Sequence, residues 1–465
     1  MKPLPRRPGL HPVTLLAILL AALLLGACAT PPTQPPPPFV PEALRADSRL
    51  QAFDEVARMV RVEYVDPQLN GVDWAAVTER YRSKALQAPT DEAFWKELNR
   101  MVGELKDAHT HIVSPMQAKA TREQRGNHAL RVQPHQGRYL VMGVAGNSQA
   151  ALLGLLPGME LLAVDGQPVA AWWAQQAQEV RGSSTERSQL WLINRALNGG
   201  DVGSRRVLRV RGIEGQEQEF TLRQDVQQQQ PLVRSHLLAD GTAYLRFAGF
   251  QPALAGELSQ ALQRMAGAER LVLDLRGNNG GQLKLTLQFL GWLLPPGSGG
   301  RIVTRDNKRL TAMAGLLDVT PKLDIPVQPL RLEQPLAVLV DEASASGAEL
   351  TAALLQSRGR ARLFGTTTCG CLLYVRPSRS LSGGGYLVLS EADLLIDGER
   401  RIEGVGVVPD EAVFADPAAL LRGRDAVLEA ARAWLAQQPG RPTPKAPTTA
   451  TSSSATPTTP TAAPS

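Results

Sequence analysis

The alternation of apolar and polar positions changes rhythm along the chain, and each change marks an element. Val13 to Leu25 is an apolar run behind the cations Lys2, Arg6 and Arg7. It is too short and too one-sided for a comfortable membrane span, and no second stretch reaches the ~18 apolar residues a spanning helix needs. Residues 45–107 read as helical. In the last of these helices Phe94, Leu98, Met101, Val102 and Leu105 recur at helical spacing and mark one buried face, with Asp91 as the predicted N-cap. The helical period stops in Asp107-Ala108-His109-Thr110-His111. In residues 113–232 Tyr139 to Val144 reads as a strand. A short helix, a Pro157-Gly158 corner, a β run and an Asp165-Gly166 turn follow. Trp172, Trp173, Leu190, Leu192, Ile193 and Leu197 then suggest one or two amphipathic helices. From about Pro231 strand and helix alternate. Strands are predicted at Tyr244–Phe250, Leu271–Leu275, Leu336–Val340, Arg362–Gly365 and Tyr386–Leu389. Helices are predicted at Ala253–Met265, Gln282–Leu294 and Gly347–Gln356. That order argues for a layered α/β core.

Composition narrows the class. The 465 residues suggest two or three domains, and 43% hydrophobic against 20% charged residues excludes global disorder. Half of the formal charge of +6 sits on Lys2, Arg6 and Arg7, so no nucleic-acid partner is implied. Three cysteines cannot form a disulfide framework for a chain of this length. One of them closes Leu25-Gly26-Ala27-Cys28, which resembles a bacterial lipoprotein signal. The resemblance implies cleavage before Cys28, lipid on Cys28 and a protein held on the periplasmic side of the envelope. Ala29 in place of Asp fits outer-membrane sorting. Residues 1–27 are then the signal peptide, and 28–44, with Pro35-Pro36-Pro37-Pro38, a stiff tether. Residues 438–465 end in a run of Pro, Thr, Ala and Ser, the composition of a disordered tail.

The chemistry must come from a few places. There is no Walker loop, no His-Glu-x-x-His zinc site, no dinucleotide fingerprint and no Gly-x-Ser-x-Gly elbow. No cofactor and no metal is expected. One candidate is Leu273-Asp274-Leu275-Arg276-Gly277-Asn278-Asn279-Gly280-Gly281, a buried strand entering a glycine-rich turn. Such a turn is either a plain connection or a cradle of N–H groups for an oxyanion. Another is Ser344-Ala345-Ser346-Gly347-Ala348-Glu349. By itself it reads as a capping box, yet a helix N-terminus also suits a nucleophilic serine. The third is His109 and His111, whose side chains share one face of an extended chain but lack a third metal ligand nearby.

Residues 113–232 resemble a PDZ domain with a helical insertion, a module that adds peptide chain ends to a sheet edge. Taken together, the motifs in residues 50–415 resemble the C-terminal processing (tail-specific) protease family. They run from Val72-Asp73-Trp74 through Leu105-Lys106-Asp107-Ala108-His109-Thr110, the glycine-rich turn and the Ser346 segment to Gly404-Val405-Gly406-Val407-Val408-Pro409-Asp410. The resemblance implies a crotonase-like α/β protease core at 233–437, preceded by the helical region 45–112 and the PDZ-like module.

In one respect the chain departs from the family. Many members pair the serine with a lysine 25 residues later, where this chain has Cys371, and after Lys322 the next lysine is Lys445. A second branch, similar to the tricorn protease, uses a Ser–His–Glu triad. Carried over, it implies nucleophile Ser346, base His109 and orienting acid Glu403, with Gly281 and Gly347 N–H groups as the oxyanion hole. Glu403 has a plainer reading as a solvated residue of the charged stretch from Glu399. Cys369 and Cys371 read as inert buried thiols, with a local disulfide or a competing nucleophile as alternatives. The expectation is a lipid-anchored periplasmic serine endopeptidase acting on protein or peptide substrates, of unassigned oligomeric state. The alternatives are a catalytically inactive envelope scaffold that binds peptide ends, and an acyl-CoA enzyme sharing only the core.

Overall fold

The computed structural model describes residues 44–440 except 123–129, 145–147, 181, 201–203, 213, 224–232, 309, 313–316, 319 and 377. The signal, Cys28, most of the tether and the end of the tail lie outside the described residues. Helices α1 (Ala46–Glu63), α2 (Trp74–Leu86) and α3 (Asp91–Gly103) close on a core that includes Phe53, Tyr64, Phe94, Leu98 and Met101. The cap of α3 is Thr90, not Asp91. Thr90 is the extended residue (φ −134°, ψ 161°), and its hydroxyl accepts the Ala93 N–H at 3.1 Å. Asp91 is already helical, so its carboxylate is free to accept the Leu44 N–H at 2.8 Å and to pair with Arg49 at 2.7 Å. After α3 the chain enters β1 (His111–Val113), which pairs antiparallel with Tyr386–Val388.

An antiparallel sheet follows, in the order β2 (Leu130–His135), β3 (Arg138–Val144), β4 (Glu160–Val164), β5 (Arg205–Arg211), β6 (Glu217–Arg223). The segment between β4 and β5 holds two helices, α4 (Val169–Glu179) and α5 (Glu186–Asn198). They bury Trp172, Trp173, Ile193 and Leu197 against this sheet.

The larger sheet begins with the antiparallel edge strand β7 (Val233–Leu237). Parallel strands β8 (Ala243–Phe247), β9 (Leu271–Asp274), β10 (Leu336–Val340), β11 (Arg362–Gly365) and β12 (Glu411–Ala412) continue it, side by side in that order. Helices α6 (Ala255–Met265), α7 (Leu283–Gly291) and α8 (Gly347–Ser357) cover one face and α9 (Ala426–Ala436) the other. The two-residue period of a strand sorts the central side chains. Leu271, Leu273, Val338 and Val340 meet α6–α8, while Val272, Ala337 and Leu339 meet α9. A sheet covered on both faces needs continuous apolar strands, which is why β10 and the first three residues of β9 read as unbroken hydrophobic runs, β9 ending in the buried Asp274. Each such Leu or Val side chain contributes about 1.5–3 kcal/mol by leaving water.

The described residues form one compact unit. It is a mixed α/β protein, and among the described residues no helix is long and apolar enough to cross a membrane. The arrangement matters for the site because β9 and β10 are adjacent and parallel. The turns at their carboxyl ends, Leu275–Gly281 and Asp341–Ser346, therefore meet, at the edge where open α/β sheets form crevices.

Candidate active site

Ser346 stands between the turn after β10 and the first residue of α8. Its backbone has φ 54° and ψ −115°, a conformation that costs a side-chain-bearing residue about 1–3 kcal/mol and persists only when its surroundings enforce it. The surroundings do so. The Ser346 N–H donates to the Cys371 carbonyl and to Glu349 Oε2, each at 3.1 Å, and the neighbouring Ala345 N–H donates to the Asn278 carbonyl at 2.9 Å. Gly280 presses on the same point. A Cβ there would lie 2.4 Å from the Gly347 nitrogen and 2.7 Å from Ser346 Cβ.

The two predicted oxyanion donors flank this serine. Gly281 forms a parallel bridge with Phe250, in which Phe250 N–H donates to Gly280 O at 2.7 Å and Gln282 N–H to Phe250 O at 2.8 Å. The bridge thus uses the neighbours of Gly281 and leaves its own N–H unengaged by Phe250. Gly347 is the first residue of α8, where the N–H has no helical acceptor.

His109 arrives from the other half of the chain. Asp107 shapes its turn by accepting the His109 N–H at 2.9 Å and the Thr110 hydroxyl at 2.5 Å. Ala108 packs against Ala345, Cys369 and Cys371, which sets the His109 turn beside the Ser346 turn. Burial pushes the His109 pKa down, against the opposing pull of Asp107, so the ring is a neutral base at physiological pH. Its Nδ1 is buried with no hydrogen-bond partner, and no hydrogen bond joins the ring to the Ser346 hydroxyl. Catalytic hydrogen bonds often close only when substrate is bound. His111 lies in β1 and its Nδ1 is 2.7 Å from the His109 carbonyl.

Glu403 is buried at 6% exposure, not solvated. Its carboxyl group accepts the Leu372 N–H at 2.6 Å and is hydrogen-bonded by Ser184, whose Oγ accepts the Ala108 N–H at 3.0 Å. Burial, with the negative charges of Asp107 and Glu349, pushes the Glu403 pKa up to about 8 despite those hydrogen bonds. Ser346, His109, Glu403, Gly281 and Gly347 thus gather on neighbouring turns, but the direct His109–Glu403 hydrogen bond of a closed triad is absent.

Glu349 does more than complete a capping box. Its fully buried carboxylate accepts from Ser346 N–H, Thr368 Oγ1, Gly370 N–H and Cys371 N–H, at 2.6–3.1 Å. Burial raises its pKa against these hydrogen bonds. The expectation of free thiols beside it is overturned, because Cys369 and Cys371 are joined in a disulfide. The left-handed Gly370 between them (φ 72°) turns the chain so that the two sulfurs meet. Glu349, Cys369 and Cys371 have ligand atoms within 4.8 Å of one another. The sulfurs are spent on the disulfide and the carboxylate on its donors, so the set offers a metal nothing. Asp107, Ser184 and Glu349 escaped the reading of the sequence. Asp107 lay inside a quoted motif, Glu349 was legible as a cap, and Ser184 sits in a polar loop that carries no signal.

Comparison with known proteins bears on this arrangement. The sequence matches the profile of peptidase family S41 over residues 241–413 and of the tricorn protease C1 domain over residues 45–103. It is 24% identical over 385 residues to a carboxyl-terminal-processing protease of Synechocystis, covering 80% of this chain and 83% of that one. These matches indicate a serine-type peptidase and support the C-terminal processing protease family. Another member, the chloroplastic carboxyl-terminal-processing peptidase 3 of Arabidopsis thaliana, is 26% identical over 372 residues, 76% of this chain and 66% of its own. Tricorn protease homolog 1 of Streptomyces coelicolor is 23% identical over 424 residues, 85% of this chain and 36% of its own. Two solved structures share the fold. The photosystem II D1 C-terminal processing protease has a TM-score of 0.54 at 22% identity, covering 82% of this chain and 98% of its own. Mature CPAF has a TM-score of 0.57 at 16% identity, covering 84% and 96%.

Proposed function

We propose that the protein is a serine endopeptidase of the C-terminal processing type in which a Ser346–His109–Glu403 triad replaces the serine–lysine pair. The observation that carries this reading is Ser346 itself. It is a serine held in a strained backbone at the start of a buried helix, with the turn of a neutral histidine packed against its own. In the reaction His109 takes the Ser346 hydroxyl proton as Oγ attacks a peptide carbonyl, then returns it to the leaving amine. Water attacks the acyl-enzyme by the same route in reverse. As the ring becomes an imidazolium, Glu403 faces a positive charge, its ionised form gains, and it fixes the tautomer through Nδ1. The N–H groups of Gly281 and Gly347 receive the oxyanion. Loss of one such donor costs about 3 kcal/mol of transition-state stabilisation.

The finer architecture belongs to the same proposal. Residues 233–437 form a crotonase-like protease core, and the sheet from β2 to β6 is a PDZ-like module. Cys28 carries lipid after removal of residues 1–27, and the enzyme works on the periplasmic side of the envelope, at the outer membrane, on protein or peptide substrates with accessible tails. Cleavage of a quenched peptide and of denatured protein by purified protein tests the activity. Ser346→Ala and His109→Ala should each abolish it, and a fluorophosphonate should label Ser346. Normal turnover by the His109 variant refutes the triad. Unchanged membrane attachment of Cys28→Ser refutes the anchor.

A further inference from the structure

The outer edge of β2 is already occupied. Among the described residues β2 pairs with β3 on one side only. On its other side an edge strand ordinarily leaves N–H and C=O groups free, and there an added peptide strand takes hold. Here the Leu130 N–H donates to Asn198 Oδ1 at 2.7 Å, and the Leu130 carbonyl accepts from Asn198 Nδ2 at 2.7 Å. The Val132 N–H donates to Asn194 Oδ1 at 2.7 Å, and the Val132 carbonyl accepts from Asn194 Nδ2 at 2.8 Å. Asn194 and Asn198 are one helical turn apart on α5, while Leu130 and Val132 present their backbone groups to the same edge of the strand. Two side-chain amides therefore reproduce two rungs of a ladder. An incoming strand, which must lie about 4.8 Å from β2, would need the space these amides fill.

The opposite end of α5 reaches the candidate active site. Thr185, the N-cap of α5, donates its hydroxyl to the Cys369 carbonyl at 2.6 Å. Arg187 donates from Nε to the Thr368 carbonyl at 2.5 Å and from Nη2 to the Val405 carbonyl at 2.6 Å. Ser184, just before the helix, bridges Ala108 and Glu403. One rigid helix thus touches the module's edge at its C-terminal end. At its N-terminal end it meets the loops that carry His109, Glu403 and the Cys371 carbonyl behind Ser346. β2 is itself tied to the same place, since Arg131 is ion-paired with Asp341 in the turn before Ser346.

We propose that α5 is the built-in occupant of the module's recognition edge and, seated there, the brace that holds the loops of the site. The module then does not read chain ends by strand addition at β2. Asn194 and Asn198 act as positioning residues for Ser346, His109 and Glu403 without touching substrate. The effect on turnover rests on the peptidase reading above, whereas the occupancy and the coupling do not.

Hydrogen exchange and peptide hydrolysis by the full chain test this. In Asn194→Ala/Asn198→Ala the amides of Leu130 and Val132 should exchange at least tenfold faster, and those of Ala108 and Leu372 should accelerate with them. The kcat should fall at least fivefold with KM within twofold, since these residues do not bind substrate. Faster exchange confined to Leu130 and Val132 overturns the coupling. Arg187→Ala leaves the edge amides in place and should lower kcat to a similar degree, with partial recovery in Arg187→Lys. An unchanged kcat there overturns the brace, even if the double variant fails to fold. Protection of Leu130 and Val132 in the wild type by an added peptide with a free C-terminus overturns the occupancy. A wild type that cleaves no peptide refutes the peptidase reading, and the exchange comparison still decides the coupling.

Discussion

Replacing Glu403 with glutamine should stabilise the protein at alkaline pH while removing its activity. Burial and the neighbouring Asp107 push the Glu403 pKa from 4.5 up to about 8. At 6% exposure solvent screens little of that effect. A shift of this size corresponds to about 5 kcal/mol between the two protonation states. The fold favours the protonated acid, so the contribution is fully present below pH 4.5 and is lost as pH rises through about 8. Glutamine keeps an oxygen for the Leu372 N–H, which donates at 2.6 Å, and does not titrate. Urea unfolding at pH 5, 7 and 9 measures the difference. Relative to wild type, the Glu403→Gln protein should gain about 3–5 kcal/mol between pH 5 and pH 9. His109 and His111, whose pKa values burial lowers, and Glu349, whose pKa burial raises, titrate in both proteins and largely cancel in the comparison. The same variant should lose on the order of 10²–10⁴ in kcat, because the orienting acid is gone. Stability curves that stay parallel within about 1 kcal/mol would show that Glu403 is not held against its charged form, and the reasoning would fail.

Other outcomes follow from the same contacts. Gly280→Ala places a Cβ 2.4 Å from the Gly347 nitrogen at φ +79°, so it should destabilise by at least about 1–3 kcal/mol and depress turnover by moving Ser346; thermal melts and kcat check both. Cys369→Ser/Cys371→Ser opens a loop of only three residues, for which chain entropy gives about 2 kcal/mol or less. Its urea midpoint should therefore fall slightly, and a large loss would mean the disulfide holds more than its own turn. Asp274 is fully buried. Burial would raise its pKa, but Arg276 and Arg246 outweigh it and hold it well below the usual carboxylate range. Asp274→Ala leaves Arg276 with Asp425 as its remaining ion partner and strands the Tyr244 hydroxyl, which donates to Asp274 at 2.6 Å, and should cost about 1–3 kcal/mol in urea unfolding at pH 7. The lowered pKa means this contribution is present above about pH 3.8 and is lost only in stronger acid, so the cost should not vary between pH 5 and pH 9.

The α/β character was legible because it depends on local periodicity. Leu336–Val340 and Arg362–Gly365 form the predicted strands without a residue's shift, and Leu336–Val340, buried on both faces, is apolar throughout. Boundaries that depend on capping were less legible. Thr90 and Asp91 are both good caps, and only the extended backbone at Thr90 chose between them. The same limit applied to the site. Ser346 and Glu349 carry the signature of a helix cap, and nothing local distinguishes a cap from a hub that gathers the Cys371 loop around a strained serine. The cysteine pair was ambiguous for a similar reason, because the turn at Gly370 that lets the sulfurs bond is set by contacts from elsewhere.

By itself the sequence determined the central strands and helices of the α/β core and which side chains have the chemistry to act, whereas the strands Leu130–His135, Arg205–Arg211 and Glu217–Arg223 were not read from it. Both depend on spacing and residue type, which a linear string preserves. The tertiary structure alone decided that Ala108 packs on Cys371, that Ser184 bridges Ala108 and Glu403, and that Asn194 and Asn198 fill the edge of β2. These contacts join residues from distant parts of the chain, and their energies arise from burial and hydrogen-bond geometry, which exist only once the whole chain is packed.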